Sequence, residues 1–358
     1  MKKINFVLPA NFDRPVGGFK IVFQYANELN QRGYEVSMTF LFNMREKHFL
    51  ISKAQRFVNN HIHQVVKHSE ELTWFDLDKN VNIYYDVATQ NEFPDADFVV
   101  ATAAPTTTIV SKLPETKGKK FYFIQNFETW FYDESVEKIN ETYNLGLTNI
   151  VISNELRQKV IEGSGKEPKY LPNFYNPDEF FLAKPIENRD NIVCLINHTH
   201  EVKRTKLGLE ILAEVKKQVP DLKVELFGAY EPVTELADYV NFTYKANPEQ
   251  LRNDIYGKSK IYLLPSVLEG WVLTGMEAMA CGATVVSSRI GGIVDYANDG
   301  NSILIEPDNK AAFVKAIVDL LNDADKCETL AKKAREEVQQ YRIEYSSDIL
   351  ERILQGNE

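Results

Sequence analysis

Short apolar runs, each the length of one buried strand, recur along the chain and alternate with helical or looped segments. Successive parallel strands need crossover connections, so this rhythm predicts an α/β architecture built on parallel sheets. The opening sets the pattern. Residues 4–8 (Ile4-Asn5-Phe6-Val7-Leu8) read as a strand, 9–15 as a loop, Gly17-Gly18 as the entry to a helix over 19–32, and Gly33 as the break before a strand over 35–42. Further runs at 81–85, 98–101, 121–124 and 149–152 continue the sheet. Between 163 and 184 the text changes to a stretch bearing Gly163, Pro168, Pro172 and Pro177, followed by Pro185, and this reads as an interdomain connection. A second series of strands follows at 191–196, 223–228, 240–244, 261–264, 284–287 and 302–305, with helices fitting between them. The segment 311–354 is helical by its period and its charge pairs. The division expected is 1–170 for a first α/β domain, 171–340 for a second, and 341–358 for a terminal helix that packs back on the first.

A chain of 358 residues, 44% apolar, suits two domains of ordinary size. It contains no run of about 18 apolar residues, and Met1-Lys2-Lys3 leads directly into a strand and not into a signal-peptide apolar region, so a cytoplasmic location is expected. Cys194, Cys281 and Cys327 lie far apart in apolar or helical surroundings, a pattern of ordinary core thiols and not of a disulfide framework or zinc site. The formal net charge is −10, and residues 171–358 carry 21 Lys and Arg against 30 Asp and Glu. Such a surface argues against nucleic acid as a partner.

The stretch richest in chemistry runs from Leu263 to Gly282. A buried strand ends at Pro265-Ser266, and a loop holding Glu269 and Gly270 then opens a helix near Leu273. Backbone N–H groups and the positive helix end face the carboxyl edge of the strand there, which suits a diphosphate. Glu269 and Glu277 both face one cleft in this reading, where carboxylates bind vicinal sugar hydroxyls. A solvated helix start with two surface acids is the plainer alternative.

This stretch resembles the Glu-x7-Glu region of the family-four retaining glycosyltransferases of GT-B fold. The likeness continues through Ala280-Cys281-Gly282-Ala283-Thr284-Val285-Val286, Gly291-Gly292, Asp299-Gly300-Asn301 and Glu306-Pro307, and upstream through Leu171-Pro172-Asn173 and Gly17-Gly18. It implies two Rossmann-like domains with parallel sheets facing a central cleft. It also implies roles: Glu277 on the donor ribose, Glu269 on the transferred sugar, the amides of Gly270, Trp271, Val272, Leu273 and Thr274 around the diphosphate, and Gly17 and Gly18 approaching that diphosphate without a Cβ clash. Lys203 occupies the position of the family's phosphate-binding base, and a cation there stabilises charge building on the departing diphosphate. The family's Gly-Arg five residues earlier is replaced by Asn197-His198. Either Arg204 supplies the missing guanidinium or His198 takes a weaker donor role. The family's Gly-Phe-Gly is here Gly270-Trp271-Val272, and no histidine follows the strand at 98–101, where Thr102 stands instead. The resemblance implies no dedicated protein base, since the donor phosphate accepts the acceptor's proton in a same-face mechanism.

The segment Phe121-Tyr122-Phe123-Ile124-Gln125-Asn126-Phe127-Glu128 resembles the Gln-Asp-x-Glu pattern of the bacterial rhamnosyltransferase branch, with Asn126 in place of the acid. It points to a deoxyhexose such as rhamnose from a dTDP donor, with Gln125, Asn126 and Thr102 on the acceptor or sugar side. Gln125 and Glu128 capping a turn is the other reading. His48, His61, His63 and His68 cluster without an acidic partner at zinc-like spacing, so no metal and no cofactor beyond the sugar nucleotide is expected. Residues 44–67 form an amphipathic helix in this reading, basic through Arg45, Lys47, Lys53, Arg56 and Lys67. It either packs on the sheet or touches the inner face of a membrane near a lipid-linked acceptor. The function expected is transfer of a hexose to a surface glycan or lipid-linked acceptor. A sugar-nucleotide epimerase or hydrolase of the same fold, or a non-catalytic partner of another glycosyltransferase, stands as the alternative.

Overall fold

A computed structural model describes residues 1–10, 16–42 and 72–357. The chain divides into two compact units, Met1–Leu171 with Ser347–Glu358, and Pro172–Ser346. In the first unit the strands are β1 (Lys3–Leu8), β2 (Glu35–Leu41), β3 (Asn82–Val87), β4 (Phe98–Ala101), β5 (Lys119–Ile124), β6 (Thr148–Val151) and β7 (Lys169–Tyr170). They form one sheet in the order β3-β2-β1-β4-β5-β6-β7, parallel at every pairing. β1 is central, with Ile4 level with Val36 on one side and with Phe98 on the other. Burial on both faces explains its unbroken apolar text: Ile4, Val7 and Leu8 are fully buried.

The second unit repeats the plan with β8 (Ile192–Ile196), β9 (Lys223–Gly228), β10 (Val240–Tyr244), β11 (Ile261–Leu264), β12 (Thr284–Ser288) and β13 (Ser302–Ile305), in the order β10-β9-β8-β11-β12-β13. Its core joins Val193 and Leu195 of β8 to Ile211, Leu212 and Val215 of the helix Thr205–Gln218 and to Phe313 of the helix Lys310–Asn322. In each sheet the strand order turns round at the first strand, between β1 and β4 and between β8 and β11. Loops leaving the carboxyl ends there diverge to opposite faces, which opens a crevice for ligands. The three cysteines are buried and unbonded.

One reading of the sequence needs correction. Residues 163–184 are not all connection: the helix Asn154–Ser164 ends at Gly165 in the left-handed region, and β7 then pairs with β6. A strand of two residues beginning with a lysine leaves no periodic signal. The span 311–354 is helical, as its period implies, in three pieces, Lys310–Asn322, Ala324–Val338 and Ile343–Gln355. Asp323 caps the second of these, accepting from the Lys326 amide at 3.0 Å, and so stops the first. The tail from Ser347 belongs to the first unit, where Arg32 meets Glu351 at 2.8 Å and also Asp348.

Candidate functional site

In the second unit two loops leave the sheet at its turning point, 197–204 after β8 and 265–272 after β11. The Val267 amide donates to the Val202 carbonyl at 2.9 Å and ties them together. This tie brings Lys203 to Glu269. Its ammonium meets both carboxylate oxygens, at 2.8 and 2.6 Å, with the carboxylate side chain only 8% exposed. Beneath Glu269 the backbone is crowded. Gly291 has φ +51°, and a Cβ there would fall 2.1 Å from the Glu269 carbonyl oxygen, so only glycine allows the approach.

The helix Leu273–Ala280 begins at Val272, which holds φ +66°, a left-handed conformation unusual for a β-branched residue. The Val272 carbonyl is fixed by the Tyr296 hydroxyl at 2.7 Å, and Trp271 packs on the rings of Tyr296 and Tyr341. No side chain caps this helix, so amides of its first turn are left for an anion. The Thr274 hydroxyl is shared with Tyr262 at 2.7 Å. Glu277, further along the same helix and buried, receives the Tyr256 hydroxyl at 3.4 Å.

His198 accepts the His200 amide on Nδ1 at 2.9 Å and packs edge-on against Tyr230, so a neutral ring carries its proton on Nε2. Arg204, at φ +52°, directs its guanidinium to Asp308 and not to the Lys203–Glu269 pair. Asn197, which stands where a glycine was expected by resemblance, is fully buried and cross-ties the loop after β9 through the carbonyls of Tyr230 and Glu231 at 2.8 and 3.0 Å.

In the first unit Gly17 and Gly18 open the helix Gly17–Gln31, again without a side-chain cap. Gly18 and Gln125, far apart in sequence, meet: a Cβ on Gly18 would sit 3.3 Å from the Gln125 amide nitrogen, and the Gln125 carbonyl oxygen is buried without a partner among the described residues. Asn126 turns back to accept the Phe127 amide at 2.8 Å, and Thr102 donates to the Val7 carbonyl at 2.9 Å. Their geometry is that of turn and sheet-end closures. The group that sequence reasoning set aside is Glu128. It accepts the Ala104 amide at 2.6 Å, at the start of the helix Ala104–Ser111, and removal from water pushes its carboxyl up to about 8. The polar pattern after β5 marked the residue, but the loss of solvent around a half-buried carboxyl is not written in a pattern. The basic segment 44–67 and His48, His61, His63 and His68 lie outside the described residues.

Residues 177–337 match the family described as Glycosyl transferases group 1. The matched stretch lies within the second unit. The D-inositol 3-phosphate glycosyltransferase of Corynebacterium urealyticum is 26% identical over 229 residues, 58% of this chain and 51% of that protein. The sulfoquinovosyl transferase SQD2 of Arabidopsis thaliana is 28% identical over 143 residues, 37% of this chain and 28% of its own length. The chain thus spans about half or less of the length of the curated relatives it matches. Among solved structures, Anabaena Alr3699/HepE in complex with UDP superposes with TM-score 0.75 at 15% identity, covering 99% of this chain and 100% of that one. Sucrose-phosphate synthase from Thermosynechococcus elongatus gives 0.72 at 16%, covering 99% of each. These likenesses show the GT-B fold.

Within the second unit, then, one edge of the sheet gathers a cation, a paired carboxylate, an uncapped helix start and a second buried carboxylate. Chemically that set offers positive charge for a diphosphate and acceptor oxygens for hydroxyls. Among the described residues no helix is long and apolar enough to cross a membrane.

Proposed function

We propose that the chain is a retaining glycosyltransferase that takes a sugar from a nucleotide diphosphate donor and passes it to a surface glycan or lipid-linked acceptor at the inner face of a membrane. The observation that carries this reading is the Lys203–Glu269 pair at the carboxyl edge of β11, beside the uncapped start of Leu273–Ala280. As the bond from the anomeric carbon to the diphosphate breaks, negative charge grows on the leaving oxygen. The three N–H bonds of Lys203 can be shared between Glu269 and that phosphate, while the amides of Leu273 and Thr274 meet the other phosphate oxygens. Glu269 takes hydroxyls of the transferred sugar and Glu277 those of the ribose. The acceptor hydroxyl attacks from the face the diphosphate leaves, and its proton passes to the leaving phosphate oxygen. Gly17 and Gly18 are assigned to the diphosphate. Gln125, Asn126 and Thr102 are assigned to the acceptor side, joined now by Glu128. The positive charge this chemistry needs comes from lysine and backbone, so no metal enters the scheme.

The Gln125-to-Glu128 pattern supports a dTDP-deoxyhexose donor, and the UDP bound by the Anabaena protein supports a uridine one. The deciding experiment incubates the chain with UDP-, dTDP- and GDP-sugars, with and without lipid-linked glycan acceptors, and follows release of the nucleoside diphosphate. Acceptor-dependent release, unchanged by EDTA and with retained anomeric configuration, supports the proposal. Release of free sugar alone marks a hydrolase, and no release from any donor overturns the enzyme reading.

A further inference from the structure

Arg189 is only 8% exposed, and no carboxylate pairs with it among the described residues. Its five N–H bonds are divided among six backbone carbonyls. Nε reaches Pro185 at 2.9 Å; Nη1 reaches Tyr256, Ser259 and Gly282 at 3.2, 2.8 and 2.9 Å; Nη2 reaches Lys184 and Cys281 at 3.2 and 2.8 Å. A buried cation without a counter-ion is costly, and what offsets the cost here is a convergence of carbonyl dipoles. Two of the carbonyls, of Lys184 and Pro185, come from the segment leading into Arg189; the other four lie at the ends of two elements that matter for Glu277.

The first is the helix Leu273–Ala280 that carries Glu277. It ends in a Schellman closure, with the Ala283 amide on the Ala278 carbonyl at 2.9 Å and the Gly282 amide on Met279 at 3.0 Å, Gly282 lying at φ +84°. The carbonyls of Cys281 and Gly282 follow that closure, and both go to Arg189. A positive charge at this end also complements the negative pole of the helix dipole. The second element is the π-helical turn Leu251–Tyr256. Its wide closure, Gly257 amide to Arg252 carbonyl at 3.0 Å, requires glycine, since a Cβ would lie 2.3 Å from that oxygen. The turn delivers Tyr256, whose hydroxyl reaches Glu277 and whose carbonyl goes to Arg189.

We propose that Arg189 is a positioning residue for Glu277: by clamping the end of the Glu277 helix and the end of the Tyr256 turn to one guanidinium, it sets where the carboxylate stands. This rests on the proposed role of Glu277 at the donor ribose. Arg189 touches no substrate in this scheme, and its effect is on affinity for the nucleotide part of the donor.

The test compares Arg189→Met and Arg189→Lys with Leu212→Ala, a core truncation on the helix Thr205–Gln218 that lowers stability without approaching Glu277. Nucleoside diphosphate binding is read by calorimetry with UDP, dTDP and GDP, and amide hydrogen exchange is followed across 255–259 and 277–283. Arg189→Met should raise the dissociation constant about tenfold while kcat for donor hydrolysis changes much less. Arg189→Lys should recover part of the affinity, and Leu212→Ala should bind as the parent does. Exchange should quicken first at the two clamped segments. Unchanged affinity in Arg189→Met with a Leu212→Ala-like loss of Tm would overturn the proposal. If the parent binds none of the diphosphates, it is the functional reading that fails; the exchange data still judge the clamp, and loss of protection spread evenly over the second unit refutes it. Should Arg189→Met not fold, the same measurements on Arg189→Lys decide, since an ammonium cannot reach two carbonyl clusters at once.

Discussion

Each unit places a carboxyl just beyond the carboxyl end of a sheet strand, and the two are held in opposite ways. Glu269, after β11, sits against the ammonium of Lys203. Glu128, after β5, has a single backbone amide and a desolvated setting that raises its pKa, and it in turn adds to the rise that burial produces in the phenols of Tyr122 and Tyr143. The second unit therefore keeps fixed charge where a diphosphate would arrive. The first presents a carboxyl that is largely neutral at neutral pH, suited to a hydroxylic ligand that needs both a donor and an acceptor.

The largest expected effect comes from breaking the ion pair. Lys203→Ala should lower turnover by about a hundredfold or more, the scale of losing one charge stabiliser of a leaving group, and should leave Glu269 buried without its cation. The double variant Lys203→Ala with Glu269→Gln should be more stable than Lys203→Ala alone, as thermal unfolding would reveal. Full turnover in Lys203→Ala would remove the basis for contrasting the two units. Glu277→Ala comes next: losing a charged acceptor for ribose hydroxyls should weaken nucleotide binding about 10- to 100-fold by calorimetry. Equal affinity would mean the ribose lies elsewhere.

The contrast itself was only partly legible in the sequence. The strands announced themselves because central parallel strands are buried on both faces and must be apolar, as 4–8 and 261–264 are. The loop, helix and two acids of 265–277 could be read in order for the same reason. What spacing cannot show is which distant loops meet: Lys203 reaches Glu269 through the Val267–Val202 backbone bond, and Gly18 lies under Gln125 by virtue of strand order. Nor does it show that Arg204 turns to Asp308, or that Arg189, in the unremarkable text Asn188-Arg189-Asp190, is a buried hub.

A subtler effect is the pH dependence that Glu128 imposes. With its folded pKa near 8 and the ordinary carboxyl value near 4.5, the folded protein retains a proton that the unfolded chain has released between those limits. Its contribution to stability therefore falls as pH rises from about 4.5 to about 8 and is flat outside that window. Glu128→Gln, neutral throughout, should lose this slope, so that its melting temperature gains on the parent's across the window. Parallel melting curves at pH 5 and pH 8 would show that Glu128 is solvated and that the contrast with Glu269 is one of partners alone.

The smallest effect concerns how the second unit stores strain, in backbone and not in a desolvated acid. Val272 holds φ +66° with its side chain buried and its carbonyl pinned by Tyr296, in the place where the resembling family has glycine. For a β-branched residue the left-handed region costs roughly 1–2 kcal/mol, while burying the side chain returns about 1.5–3 kcal/mol. Truncation separates the two. Val272→Ala gives up the packing yet keeps a Cβ in the strained conformation; Val272→Gly gives up the packing and the strain together. At an ordinary buried position alanine is the more stable of the pair by about 0.5–1 kcal/mol, because glycine loses more freedom on folding. Here the order should invert, with Val272→Gly melting a few degrees above Val272→Ala and both below the parent. If alanine proved the more stable, the Tyr296 pin would not be holding a strained residue, and glycine in the family's loop would need another explanation, such as close approach of a ligand to the backbone.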